Sequence, residues 1–268
     1  MTRDHDMKRA IRTRMKDTGE RYTVARSALV APSSSSSPAP ETALSQGETM
    51  ASDQTDLLNE LDERGFALVK SFAPPSEVAT LTAVVDEIVA ATIAQKLAEA
   101  DERQAAGEPS NNIWYPGEDG VVFSRITERP EAEWIRKSQR LSRLVAATTG
   151  VESAVRDIAA YVVLPGCGHQ GLHVESELPK ASIGSWDRVR FVITLSSHSA
   201  ETGTIRVVPG SHRTGAPFSD AFGAAMPPHP DEVRINAEPG DLVVYSPQLW
   251  MSGTFNGGVE RLSSLLIS

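Results

Sequence analysis

The feature that most constrains the fold is a change in sequence pattern near residue 160. After this point the chain consists of short apolar runs separated by turn residues. Each run is rich in Val, Ile, Leu, Tyr or Phe, and Gly, Pro or Ser follows within a few positions. Closely spaced β-prone runs of this kind are typical of a sandwich or barrel whose strands are joined by short turns. The runs are AAYVVLPG (159–166), RVRFVITLSS (188–197), GTIRVVPGS (203–211), DEVRINAEPG (231–240) and DLVVYSP (241–247).

Helical patterns precede these strands. Leucines recur at helical spacing between residues 57 and 61, and Gly65 then introduces an apolar strand over residues 66–72. A second helix is predicted from Pro75 onward, because proline is favoured in the first turn of a helix. Helices followed by many strands predict an α+β fold with a barrel-like β core.

Composition divides the chain into three parts. Residues 1–30 hold eight Lys and Arg against four Asp and Glu, which predicts a basic, partly helical tail. Residues 31–50 are rich in Ser and Pro and poor in bulky apolar side chains, which predicts a flexible linker. Residues 51–268 are then the predicted folded domain. A docking arm for an acidic partner is the alternative interpretation of the tail.

The charge balance limits the classes of partner. The whole chain has a formal net charge of −9, and the tail contributes +4, so the remainder carries −13. A body this acidic repels phosphate backbones, which argues against nucleic acid as its partner and makes a very anionic substrate less natural.

Membrane and secretory signals are not evident in the sequence. No run of about 18 apolar residues is present, so no membrane association is predicted. Cys167 is the only cysteine, which rules out an internal disulfide and suits a reducing compartment. These features predict a cytoplasmic protein.

A histidine and a carboxylate stand two positions apart in the stretch LHVES (172–176), at His173 and Glu175. Side chains two apart on a strand point to the same face, so this pair can offer one imidazole and one carboxylate to a single ion. With a distant second histidine, such a pair forms the 2-His-1-carboxylate facial triad of non-haem iron oxygenases. The pair alone is a weak signal, because this spacing arises often by chance.

Several further blocks occur in a meaningful order around the pair. TGTIRVVPGSH (202–212), PGDLVVYS (239–246) and LWMSGTFN (249–256) follow it, and LDERGFALVKSFAPPSEVATL (61–81) opens the domain. Over roughly residues 55–268 this order resembles the phytanoyl-CoA dioxygenase-like family of Fe(II)/2-oxoglutarate oxygenases.

The resemblance implies a fold, cofactors and site residues. The fold would be a double-stranded β-helix, a jelly-roll barrel with iron at one mouth and 2-oxoglutarate as cosubstrate. His173 would be the first metal ligand and Glu175 the carboxylate ligand, where the family usually has Asp. Arg261 would anchor the far carboxylate of 2-oxoglutarate through its guanidinium fork. Gln170 matches a family glutamine near the same cosubstrate.

The chain departs from the family pattern at Met251, which stands where the second ligating histidine is expected. The six histidines are at positions 5, 169, 173, 198, 212 and 229, so none follows the PGD block. A thioether is a soft donor and a poor ligand for Fe(II) among nitrogen and oxygen donors. His169, four residues before His173, is the alternative third ligand.

Two functions therefore stay open. The first is an Fe(II)/2-oxoglutarate-dependent oxygenase that acts on a small organic metabolite or natural product. The second is a catalytically altered or metal-free member of the family, which binds a small molecule or serves as a partner subunit. A protein partner or a homodimer is compatible with either function.

Overall fold

The structure of the chain is a computed structural model that describes residues 54–106, 120–176, 183–214 and 228–268. The predictions for the basic tail and the Ser/Pro-rich linker lie outside these residues. The helices are α1 (Gln54–Arg64), α2 (Pro75–Ala105), α3 (Glu133–Arg136) and α4 (Gln139–Thr149), with short 3-10 helices at Pro130–Ala132 and Ser211–Arg213. The strands are β1 (Phe66–Val69), β2 (Val121–Arg125), β3 (Ile158–Val163), β4 (Arg190–Thr194), β5 (Ile205–Val207), β6 (Val233–Ile235), β7 (Leu242–Tyr245), β8 (Met251–Gly253) and β9 (Leu262–Ile267).

The connection from α1 to β1 depends on Gly65. Its φ is +82°, a left-handed conformation that favours glycine, and its N–H donates to the Leu61 carbonyl at 2.9 Å. A Cβ at this position would lie 2.4 Å from Nδ1 of His212. The glycine therefore permits both the end of the helix and a close approach by the buried His212 ring.

The larger sheet contains six antiparallel strands in the order β1-β7-β4-β9-β3-β2. One of its faces packs against the helices and forms the main hydrophobic core. Strand residues in this core include Ile158, Ile193, Val244 and Leu265, and helix residues include Leu61, Leu81, Ile135 and Leu141. Burial of this continuous apolar face is the main source of stability for the domain.

The smaller sheet contains β6, β5 and β8 in that spatial order and faces the other side of the larger sheet. A second cluster lies between the two sheets. The larger sheet contributes Phe66, Val192, Val243 and Tyr245 to it, and the smaller sheet contributes Val207, Ile235 and Met251. Two antiparallel sheets beneath a layer of helices confirm the predicted α+β class, and the space between the sheets is called the barrel interior below.

None of the described helices is both long and apolar enough to cross a bilayer.

Candidate functional site

The stretch 170–175 joins the edge of the smaller sheet by pairing with β8. His173 and Met251 exchange two backbone hydrogen bonds, each 2.9 Å long, and so form a directly opposed antiparallel pair. Directly opposed residues share a face, and the Met251 side chain packs in the barrel interior. The position opposite His173, where a second imidazole would meet the same ion, is therefore occupied by a buried thioether.

The hydrogen bond of the His173 ring indicates which nitrogen is free. Nδ1 lies 3.0 Å from the carbonyl oxygen of Gly171. A carbonyl oxygen only accepts hydrogen bonds, so Nδ1 is the donor, and in the neutral ring the lone pair then lies on Nε2. Histidines that ligate metals are commonly oriented by such a bond from the other ring nitrogen. The ring is thus set to offer Nε2 as a donor atom.

Both carboxylate oxygens of Glu175 are engaged by side chains of the larger sheet. Oε2 accepts from Nε of Arg190 at 2.5 Å, and Oε1 accepts from the hydroxyl of Tyr245 at 2.8 Å. Arg190 begins β4 and Tyr245 ends β7, and the two residues are register partners. The Glu175 carboxylate thus spans the interior from the smaller sheet to the larger one.

Tyr245 is a hydrogen-bond donor in this arrangement. Burial raises the pKa of its hydroxyl well above the ordinary value, and the adjacent Glu175 charge raises it further. The hydroxyl therefore stays protonated throughout the physiological range and keeps donating to the carboxylate.

A pocket of about 200 Å³ opens beside this cluster, at the end of the larger sheet. Ala159 pairs with Leu266, and both lie on the sheet face that carries Arg190 and Tyr245. Phe123, on the edge strand β2, is 59% exposed and forms the outer wall. One wall is therefore apolar and the other is polar, as expected of a site for a small organic molecule.

Arg261 lies outside this site. It precedes β9 and forms an ion pair with Asp86 of α2. Because strand residues alternate between faces, Arg261 shares the helix-facing side with Leu265, whereas Leu262 points inward against Val163 and Cys167. In the structure the Arg261 guanidinium is paired with Asp86, and its predicted role as the anchor of 2-oxoglutarate stays a prediction.

Gln170 fastens the stretch 170–175 to β8. Its side-chain oxygen accepts from the Gly253 N–H at 3.3 Å, and its backbone carbonyl accepts from Nη2 of Arg206 at 2.8 Å. The side chain therefore supports the strand that presents His173. Its predicted contact with 2-oxoglutarate stays a prediction.

His169, the alternative third ligand, lies in the loop that precedes the stretch 170–175. The residue is exposed, and the pKa of its ring is lowered, chiefly by partial desolvation and secondarily by the Arg206 charge, while the Glu232 charge opposes the shift. Within the described ranges no three His, Cys, Asp or Glu side chains are grouped closely enough to hold a metal ion. The role of His169 as a substitute third ligand therefore stays a prediction, without support from a compact group of donors.

The donor set fits iron only in part. His173 offers an imidazole nitrogen and Glu175 a hard oxygen, which are suitable donors for Fe(II). Met251 contributes no suitable third donor, and Glu175 is already paired with Arg190. These residues therefore fit a metal held by two side chains, and they do not fit a complete facial triad.

Arg190 and Tyr245 were not singled out from the sequence. A detectable signal existed, because Arg190 alternates with Val192 and Thr194 on one face of an otherwise apolar strand. A charged side chain at an inward position of a barrel strand marks a candidate site residue. Its partner, however, becomes visible only once the sheets are assembled.

The sequence of this chain matches one known protein family. The sequence model of the phytanoyl-CoA dioxygenase (PhyH) family matches residues 61–257. The chain belongs to this family. No curated protein matches it at the sequence level.

Solved structures share its fold at low sequence identity. AviO1 from Streptomyces viridochromogenes Tue57 has a TM-score of 0.57 at 19% identity, covering 82% of this chain and 95% of that one. SnoK, a non-haem α-ketoglutarate-dependent carbocyclase from nogalamycin biosynthesis, has a TM-score of 0.57 at 18% identity over 82% and 85% of the two chains. HygX from Streptomyces hygroscopicus, solved with nickel, 2-oxoglutarate and hygromycin B, has a TM-score of 0.59 at 13% identity over 79% and 85%.

The family match confirms the predicted dioxygenase family, and the solved structures confirm the predicted double-stranded β-helix. Among these neighbours, SnoK depends on α-ketoglutarate, and HygX holds nickel and 2-oxoglutarate. The predicted replacement of the second ligating histidine by Met251 stays a prediction.

Proposed function

We propose that this chain is an Fe(II)/2-oxoglutarate-dependent oxygenase that acts on a small organic molecule bound between its two sheets. The observation that carries the proposal is the position of Glu175. Its carboxylate belongs to the same strand stretch as the free Nε2 of His173 and also lines the pocket beside Phe123 and Leu266. A single side chain thus connects the candidate metal ligands with the candidate substrate pocket.

His173 and Glu175 are the side chains that would hold the iron. When bound, iron with 2-oxoglutarate and dioxygen supplies the oxidising chemistry that protein side chains lack. The chain's own contribution is to orient both ligands. The Gly171 carbonyl fixes the His173 tautomer, and the Tyr245 hydroxyl fixes one oxygen of the Glu175 carboxylate.

The pocket favours a compact substrate with an apolar portion. Phe123, Ala159 and Leu266 provide the apolar surface, and Arg190 and Tyr245 provide polar contacts. The acidic body of the protein gives no support to a highly anionic substrate such as an acyl-CoA. Related structures of a carbocyclase, an epimerase and a hygromycin B complex make a natural-product-like substrate the working hypothesis.

A second candidate function is a small-molecule-binding protein that has lost oxygenase chemistry. Three observations favour it. A thioether, Met251, lies opposite His173, Arg190 is paired with Glu175, and the Arg261 guanidinium is paired with Asp86 on the helix-facing side. Such a protein would keep the pocket and bind its ligand without metal.

Metal titration of the parent and of Met251→His separates the two functions. Met251→Leu is the matched control, since it removes the thioether and adds no donor. The oxygenase proposal expects weak Mn(II) binding by the parent, unchanged binding by Met251→Leu, and at least about tenfold tighter binding by Met251→His, because affinity rises with the number of ligands. Succinate release that depends on 2-oxoglutarate should appear or increase in Met251→His. If neither the parent nor Met251→His binds metal, the oxygenase proposal is overturned and the binding-protein function is retained.

A further inference from the structure

We propose that the guanidinium of Arg190 competes with the metal ion for the carboxylate of Glu175. This inference rests on the proposed assignment of His173 and Glu175 as the ligand pair. It assigns to Arg190 the role of a positioning residue that acts through Glu175. In the metal-free protein Arg190 holds the carboxylate against the larger sheet, and a metal binds only when that ion pair is broken.

The geometry of the pair is the first support. Nε of Arg190 lies 2.5 Å from Oε2 of Glu175, and the Tyr245 hydroxyl lies 2.8 Å from Oε1. Both side chains are about a quarter exposed, at 27% for Arg190 and 23% for Glu175. Partial burial makes such a contact stronger than a surface ion pair, because solvent screens it less. No oxygen of the carboxylate is left unengaged for a metal ion.

The surrounding charges are the second support. Asp157 is the other acid that lines the pocket, and it is paired with Arg125 at 2.8 Å and with the Thr127 hydroxyl at 3.0 Å. In the described part of the chain, Arg190 is the only cation paired with Glu175. Removing the Arg190 charge would therefore leave the Glu175 carboxylate with the Tyr245 hydroxyl as a neutral partner.

Competition follows from elementary electrostatics. A guanidinium and a divalent cation both require the negative charge and lone pairs of the same carboxylate. Arg190 also repels any cation that approaches His173 and Glu175. Metal binding breaks the charge-assisted contact between Arg190 and Glu175 and places the metal near the positive charge of Arg190. Both effects lower metal affinity, and together they correspond to about tenfold or more in the dissociation constant.

The test is Mn(II) titration, by calorimetry, of the full-length parent, Arg190→Met and Arg188→Met. Methionine keeps much of the arginine stem and removes its charge. Arg188 is the matched control because it is exposed, lies two residues away and pairs with Asp187 instead of Glu175. The expected result is Mn(II) affinity at least about tenfold tighter in Arg190→Met and unchanged in Arg188→Met.

Arg190→Lys keeps a positive charge at the same position. It is expected to bind Mn(II) with an affinity closer to that of the parent than to that of Arg190→Met. Circular dichroism of all variants checks folding, and Arg190→Gln replaces Arg190→Met if the latter does not fold. Merely structural damage would lower metal affinity, so a gain in affinity is the signature of competition. Unchanged or weaker Mn(II) binding after neutralisation of Arg190 overturns the inference.

Met251→His distinguishes this failure from failure of the proposed function. If Met251→His binds Mn(II) tightly while Arg190→Met does not differ from the parent, the competition is wrong and the oxygenase proposal survives. If neither variant binds Mn(II), both proposals are overturned.

Discussion

The two faces of the larger sheet differ in what they require of the sequence. The helix-facing side is apolar along almost its whole extent, from Ile158 and Leu265 to Val244. The inward face mixes Val192 and Val243 with Arg190 and Tyr245. The helix-facing side therefore holds the domain together, while a few inward positions determine its chemistry. We therefore expect that substitutions at inward positions such as Met251 change the chemistry of the domain more than its stability.

The largest effect on stability is expected from the helix-facing side. Leu265→Ala removes a fully buried side chain from β9 and should lower the free energy of unfolding by roughly 3–5 kcal/mol. Leu266→Ala is the matched control on the same strand, because Leu266 faces the pocket and is only partly buried. Urea unfolding measures both variants. Equal losses of unfolding free energy in the two variants would contradict the claim that the helix-facing side contributes most of the stability.

Acid should destabilise the domain through a buried histidine. Burial lowers the pKa of His198 to about 4, whereas the unfolded chain has the ordinary value near 6.5. The unfolded state therefore binds the proton first, so stability is complete above about pH 6.5 and falls as the pH drops towards 4. The loss attributable to this group is roughly 3 kcal/mol by linkage.

His198→Gln removes this titrating group. Urea unfolding at pH 7 and pH 5 should show a smaller difference for His198→Gln than for the parent. His229→Gln is the control, since it removes a histidine side chain that is only partly buried. If His198→Gln keeps the full pH dependence of the parent, another group is responsible.

How much of this could be predicted from the sequence depends on the range of the interactions. The Gly65 turn, the start of α2 at Pro75 and the five apolar runs are local signals, and each appears as expected within a few residues. The His173–Glu175 spacing is also local. The orientation of Arg261 depends on the register of β9, because a shift of one residue moves a side chain to the other face. The pairing of Glu175 with Arg190 and Tyr245 joins three segments, so no local pattern could predict it.

A smaller stability effect is expected on the inward face. Met251→His places a polar ring where a buried thioether packs, so it should lower the free energy of unfolding by about 1 kcal/mol in the presence of a chelator. Mn(II) should restore the loss, since a ligand that binds only the folded state stabilises it. Met251→Leu should change stability less and show no response to Mn(II). A loss as large as that of Leu265→Ala would place position 251 among the residues that hold the fold.

The smallest effect is expected from removal of residues 1–50. Their low apolar content predicts no contribution to the core, so a chain of residues 51–268 should unfold within about 0.5 kcal/mol of the full chain. Urea unfolding of the two proteins makes the comparison. Aggregation or loss of a cooperative transition after truncation would show that the tail or linker supports the domain.

The number of histidine nitrogens on bound Mn(II) decides whether this barrel offers the metal one imidazole or two. Pulsed electron paramagnetic resonance detects coordinated imidazole nitrogens, and millimolar Mn(II) compensates for weak binding by the parent. One imidazole is predicted for the parent, from His173, and two for Met251→His. Two coordinated imidazoles in the parent would contradict a site in which Met251 replaces the second ligand.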